Sequence, residues 1–165
     1  MSVEQTHEEK ETLTVDVLLP GHEARVTTAL FERTKKQLML REDSRCWCCG
    51  EPAEDVGPLE AHHRPVERSL AMAWDWPRFA ADCKAGMWGV HAQAFDWDAF
   101  LAAKPFDPYT FVDDMTVNGM LLCKREHIGK GAGIHAEPEP LFIWRRYAPD
   151  GYEITPGEHL KHDFT

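Results

Sequence analysis

Three stretches decide how this chain is read: Cys46-Trp-Cys-Cys49-Gly50, Leu59-Glu-Ala-His62-His63, and Asn118-Gly-Met-Leu-Leu-Cys123-Lys-Arg-Glu-His127. Each is ordinary alone. In this order they offer thiolates for one metal ion, and imidazoles with an amide for another. Cys46 and Cys49 have the turn spacing that aims two sulfurs at one tetrahedral ion, and Gly50 relieves the backbone after the second. Cys123 closes a later apolar run and is placed to supply a third sulfur. The plainer alternative is that these cysteines are small buried hydrophobes. Three of them in this setting favour a metal. Cys83 has no partner pattern and reads as a core residue.

Around the motifs the chain divides simply. Leu59–His63 follows Gly50, Pro52 and Pro58 and reads as a short strand; Met120–Cys123 reads as a second, with a turn or helix at 124–128. Upstream, Leu13–Leu19 alternates apolar and polar residues as a strand does. Ala24–Arg41 has no Pro or Gly and runs near helical spacing, with Arg33, Lys35 and Lys36 on a solvated face. Residues 1–12 are polar and acidic and are expected to be a frayed tail, leaving 13–165 as a single domain. Val66–Trp74 is expected to be helical. Between about 68 and 114 lie Trp74, Trp76, Trp88, Trp97, Phe79, Phe95, Phe100 and Phe106, an aromatic-rich insertion with short helices around 77–84 and 92–103. Gly129, Gly131 and Gly133 make a loop, and Glu139–Tyr147 is expected to be a last amphipathic helix.

Composition limits what such a chain can do. With 43% hydrophobic residues, six Trp and eight Phe in 165 residues, it can bury a core of its own. No apolar run approaches the roughly 20 residues of a membrane span, and the start lacks the basic and apolar regions of an export signal. A soluble, cytoplasmic protein is expected. Five Cys is an odd number, and three within four residues suit reduced metal ligands better than disulfides. The net charge of −10 repels nucleic acid on average. Arg64, Arg68, Lys124, Arg125 and Lys130 nevertheless fall beside the motif residues, where a local basic rim would matter most.

Over residues 46–67 and 116–135, about a quarter of the chain, the sequence resembles the HNH nucleases, the ββα-metal group. The resemblance implies an α+β fold in which a ββα-metal motif is split by the helical aromatic insertion and buttressed by a Cys-rich zinc knuckle. It implies a metal-dependent endonuclease that hydrolyses DNA phosphodiester bonds. Carried over residue by residue, His63 is the general base that activates water. His62 and His127 bind the catalytic ion, Mg²⁺ or a transition ion such as Mn²⁺ or Ni²⁺. Asn118 is the middle letter, whose amide bonds backbone across the loop and orients His63. Cys46, Cys49 and Cys123 hold structural zinc. Such knuckles usually end in Cys-x-x-Cys or Cys-x-x-His, and here Glu126 stands at that position as a candidate fourth ligand; the alternatives are completion by His127 or Cys48, or an empty site.

Arg64, Arg68, Lys124, Arg125 and Lys130 are the expected phosphate contacts, with His135 supporting the ligands; the 129–133 glycines either allow close backbone approach to a phosphate or make a plain flexible loop. His7, His22, His91, His159 and His162 lie outside the pattern. A reading of a different class keeps the scaffold without cleavage: a binding or inhibitory protein whose acidic surface meets a basic protein partner.

Overall fold

Apolar residues at alternate positions and an unbroken helical stretch set the first elements, and the computed structural model carries them through. It describes residues 5–7, 15–19, 26–129, 134, 147, 149–150 and 154–156. Strands β1 (Gln5–His7), β2 (Val15–Leu19) and β5 (Ile154–Pro156) form an antiparallel sheet in the order β1-β2-β5. The acidic tail expected to fray therefore contributes a strand: Gln5 pairs with Leu19 and His7 with Val17. The expected helix Glu139–Tyr147 lies outside the described residues except for Tyr147, as do Lys130 and His135.

Helix α1 spans Ala29–Arg41, five residues shorter at its start than its sequence suggests. Thr28 is the reason. Its backbone is extended and its hydroxyl accepts the Phe31 N–H at 3.1 Å, which satisfies a donor that the helix cannot pair. The other end closes through Asp43 and Ser44, both left-handed, with Ser44 N–H donating to the Met39 carbonyl at 2.8 Å. That reversal delivers the chain to the Cys46 turn. After the short helix α2 (Ala53–Val56), strands β3 (Glu60–His63) and β4 (Gly119–Leu122) pair antiparallel, with His62 opposite Met120 and His63 opposite Gly119. Helix α8 (Lys124–Ile128) follows at once.

The regular structure between these two strands is all helical. The stretch expected to be helical from Val66 to Trp74 holds a 3₁₀ segment (Arg68–Ala73), followed by α3 (Trp76–Lys84), α4 (Gly89–Gln93), α5 (Trp97–Ala102), α6 (Tyr109–Val112) and α7 (Met115–Asn118). The aromatics pack against one another, as the composition of this stretch implies. Phe79 contacts Trp74, Trp76, Trp97, Phe111 and Tyr147 rings at centroid separations of 5.0–5.8 Å, all near edge-to-face. Buried indoles find acceptors: Trp76 Nε1 donates to the Ala71 carbonyl and Trp97 Nε1 to that of Ala92. Cys83 is fully buried here, and burial pushes its thiol up to about 12, so it is an inert core residue.

A second core joins α1, the Cys46 turn and the hairpin through Leu38, Leu59, Met115, Leu121 and Leu122. The molecule is thus a mixed α and β protein with a small two-stranded antiparallel sheet and a cysteine cluster. Among the described residues no helix is long and apolar enough to cross a membrane.

Candidate metal centre and histidine site

The thiol cluster is built by two backbone reversals. Trp47 N–H donates to the Leu121 carbonyl at 2.8 Å, fastening the Cys46 turn to β4, while Gly50 N–H closes on the Cys46 carbonyl at 2.8 Å with Gly50 at positive φ. Cys123 leaves β4 into α8 and brings its own N–H to Cys46 Sγ at 3.3 Å. The sulfurs of Cys46, Cys49 and Cys123 consequently lie within 4.8 Å of one another. Two thiolates sharing a tetrahedral zinc sit about 3.8 Å apart, so this group can hold an ion such as zinc.

The electrostatics agree with that use. Burial opposes ionisation of Cys46, yet the amides of Cys49, Cys123 and Cys48 outweigh it and lower its pKa. Cys49 is raised instead: the Glu51 amide favours its thiolate, but burial and the adjacent sulfurs oppose it. Crowded sulfurs that resist a second negative charge are what a bound cation relieves.

Glu126 is close by but engaged elsewhere. Its carboxylate pairs with Arg125 at 2.6 Å and accepts from Cys48 Sγ at 3.5 Å, and both contacts hold it below the usual carboxylate range. It is not among the three mutually close donors.

Alternation along β3 sorts the histidines. Glu60 and His62 project on one face, where α8 returns His127: the His62 and His127 rings are 5.3 Å apart edge-to-face, and His127 Nδ1 lies 2.6 Å from Glu60 Oε2. His62 is 3% exposed, with Nε2 3.5 Å from Glu67 Oε1. A carboxylate on one ring nitrogen is the usual arrangement behind a metal-bound imidazole. Among the described residues, however, only the three cysteines form a group of three or more donors close enough to share an ion.

His63 is the last residue of β3, paired with Gly119, and its ring meets a different set of partners from those of His62. Its ring stacks on Phe31 at 5.6 Å, and Nε2 lies 3.3 Å from Asp113 Oδ1. Asp113 is 2% exposed and also receives Arg68 Nε at 3.2 Å and the Thr28 hydroxyl at 3.1 Å. Burial pushes its carboxyl up, but the His63 hydrogen bond and the Arg68 guanidinium outweigh that, and the net shift is downward. An ionised carboxylate on Nε2 holds the imidazole with Nδ1 directed away, the orientation a general base needs.

Asn118 is wholly buried and committed to backbone. Its amide donates to the Val66 and Val112 carbonyls and accepts the Val66 N–H, each at 2.9 Å. It bonds backbone across the loop, and its own carbonyl accepts the Arg64 N–H at 3.1 Å.

The expected phosphate contacts divide. Arg68 is turned inward onto Asp113 and over the Tyr109 ring, 4.4 Å from its centroid. Arg125 is exposed but paired with Glu126, Lys124 is exposed, and Arg64 is half-buried.

Asp113, Thr28 and Glu60 are the site residues that sequence reasoning missed. Glu60 had a signal, because a residue two before His62 on a strand shares its face. Asp113 lies 50 residues from His63 and had none. No protein-family model, curated protein or solved structure matches this chain.

Proposed function

We propose that the protein is a metal-dependent endonuclease of the HNH type, hydrolysing DNA phosphodiester bonds. The observation that carries this reading is the β3–β4–α8 unit, in which a strand, an antiparallel partner and the helix that follows hold His62 against His127. His63 sits at the end of the same strand with Asp113 behind it.

His62 and His127 would hold a divalent ion, with Glu60 fixing the His127 ring. The ion would supply charge stabilisation for the phosphodiester and the leaving oxygen. His63 takes the proton from the attacking water at Nδ1. Asp113 stabilises the imidazolium that results, and Asn118 fixes the 64–66 backbone that follows the base. Structural zinc at Cys46, Cys49 and Cys123 would pin β4 to the Cys46 turn.

The test is a plasmid-nicking assay with Mg²⁺, Mn²⁺ or Ni²⁺, run beside metal analysis of the purified protein. Nicking that requires an added ion is expected. Its absence with all three ions overturns the reading.

One observation favours a second reading, a scaffold that binds without cleaving. His62 and His127 lie beside the carboxylates of Glu67 and Glu60 without forming a three-donor group among the described residues, and the chain carries a net charge of −10. A basic protein partner would then be the ligand. Nicking by the purified protein excludes this alternative.

A further inference from the structure

Beside the end of β3 that carries His63 lies a cleft of about 210 Å³. Gly119, which pairs with His63, forms part of its wall, and Arg64, the next residue after His63, forms another. Arg41 and Arg45 complete a trio of guanidinium groups around it, and two carboxylates accompany them among the described residues: Glu42 pairs with Arg41 at 3.0 Å and Asp43 with Arg45 at 3.4 Å. Three cations to two anions is still a local balance opposite in sign to that of a chain with a net charge of −10.

Two of these arginines are held in place. Arg41 donates Nε–H to Glu42 at 3.0 Å and a terminal N–H to the Thr116 carbonyl at 2.8 Å, and Arg45 donates likewise to Asp43 at 3.4 Å and to the Gly50 carbonyl at 3.1 Å. Each guanidinium has five donors, so a fork held by two bonds retains others for an anion, and an exposed carboxylate partner is a weak competitor.

The cleft also has an aromatic edge. Trp47 is 67% exposed, although its backbone is fastened to Leu121, and exposed Val90 adds apolar surface. A large indole left in water beside guanidinium groups matches the way single nucleic-acid strands are held, with bases stacked on rings and phosphates tracked by cations.

We propose that this cleft binds a strand of DNA, its phosphates against Arg41, Arg45 and Arg64 and a base against Trp47. The assignment rests on the nuclease reading and gives its substrate a track that begins one residue from His63. Of the rim expected from sequence it retains Arg64, and it adds three residues from the α1 end and the Cys46 turn.

The experiment measures anisotropy of a short fluorescein-labelled DNA single strand, and of its duplex, with full-length protein at low salt and without divalent ion. Wild type should bind the single strand, and affinity should fall steeply with salt. The double variant Arg41→Gln/Arg45→Gln should bind more weakly and flatten the salt dependence by roughly 0.7 log unit for each phosphate no longer neutralised. Trp47→Ala should weaken single-strand binding by about tenfold, because a base then has no ring to stack on. If the double variant fails to fold, by its melting curve, the exposed Trp47→Ala change decides alone.

Wild-type affinity retained in the folded variants overturns the proposal, as does a wild type that binds neither DNA. The two readings fail separately. Weakened binding in the variants without nicking by wild type keeps the cleft and removes the nuclease. Normal nicking with unchanged binding in the variants removes the cleft alone.

Discussion

Asn118 and Val66 hold each other as neighbouring strands do: the Asn118 carboxamide accepts the Val66 N–H and donates to the Val66 carbonyl, both at 2.9 Å. Val66 belongs to the aromatic core, whereas Asn118 leads into β4 of the hairpin. One side chain therefore ties the two halves together. Removing it with Asn118→Ala would strand buried backbone groups of Val66 and Val112, at a cost of order 3 kcal/mol. Urea denaturation should register that loss, and an unchanged midpoint would show that the tie is dispensable.

Metal content and stability should fall together when the thiol cluster is broken. Wild type is expected to carry about one zinc per chain. Cys46→Ser or Cys123→Ser should lose it and melt at lower temperature, since structural zinc supplies on the order of 10 kcal/mol of folding free energy in small domains. A metal-free protein that melts identically with and without chelator would end this account.

Acid should destabilise the protein through Asp113. Its folded pKa lies below the unfolded value, so its contribution is complete above the unfolded pKa, about 3.9, and is lost as pH falls through the lower folded value. Denaturation midpoints measured from neutral pH down to about 3 should fall more steeply in wild type than in Asp113→Asn. Parallel curves for the two proteins would argue against an ionised Asp113 supporting the fold.

His63→Ala should abolish nicking while leaving the fold and zinc content intact, because a positioned base contributes roughly 10²–10⁴-fold; some loss of melting temperature is expected, since Asp113 loses a partner. His62→Ala and His127→Ala should differ in kind, demanding more divalent ion for whatever activity remains. Cleavage by His63→Ala at the wild-type rate would assign the activity to another group or to a contaminant.

The local parts of this structure were legible in the sequence, and the long-range ones were not. Short runs after Gly and Pro breakers placed β3 and β4 to within a residue, and alternation placed the strand at Leu13–Leu19, observed as Val15–Leu19, because a half-buried strand writes its face into every second position. The aromatic density of 68–114 foretold a packed insertion, and the CxxC turn foretold the cluster. Thr28 delayed the start of α1 through a hydroxyl cap, which apolar periodicity does not register. The Gln5–His7 strand escaped notice because its pairing, not its composition, makes it one. Asp113 escaped because its partners, Thr28, His63 and Arg68, are 45–85 residues away. Arg68 misled in the same way: beside the motif in sequence, it faces a buried carboxylate in space.

Cys123 meets Cys46 across a span of 77 residues that encloses β3, the whole aromatic insertion and β4. In an unfolded chain Cys46 and Cys49 remain a two-sulfur site, but recruiting Cys123 there requires closing that loop. On the scale known for crosslinks of such span the entropy cost is roughly 4–5 kcal/mol. An ion at the cluster would therefore tell a folded chain from an unfolded one by the distant cysteine alone. Metal supply would then set how long an opened insertion survives before it refolds or is degraded.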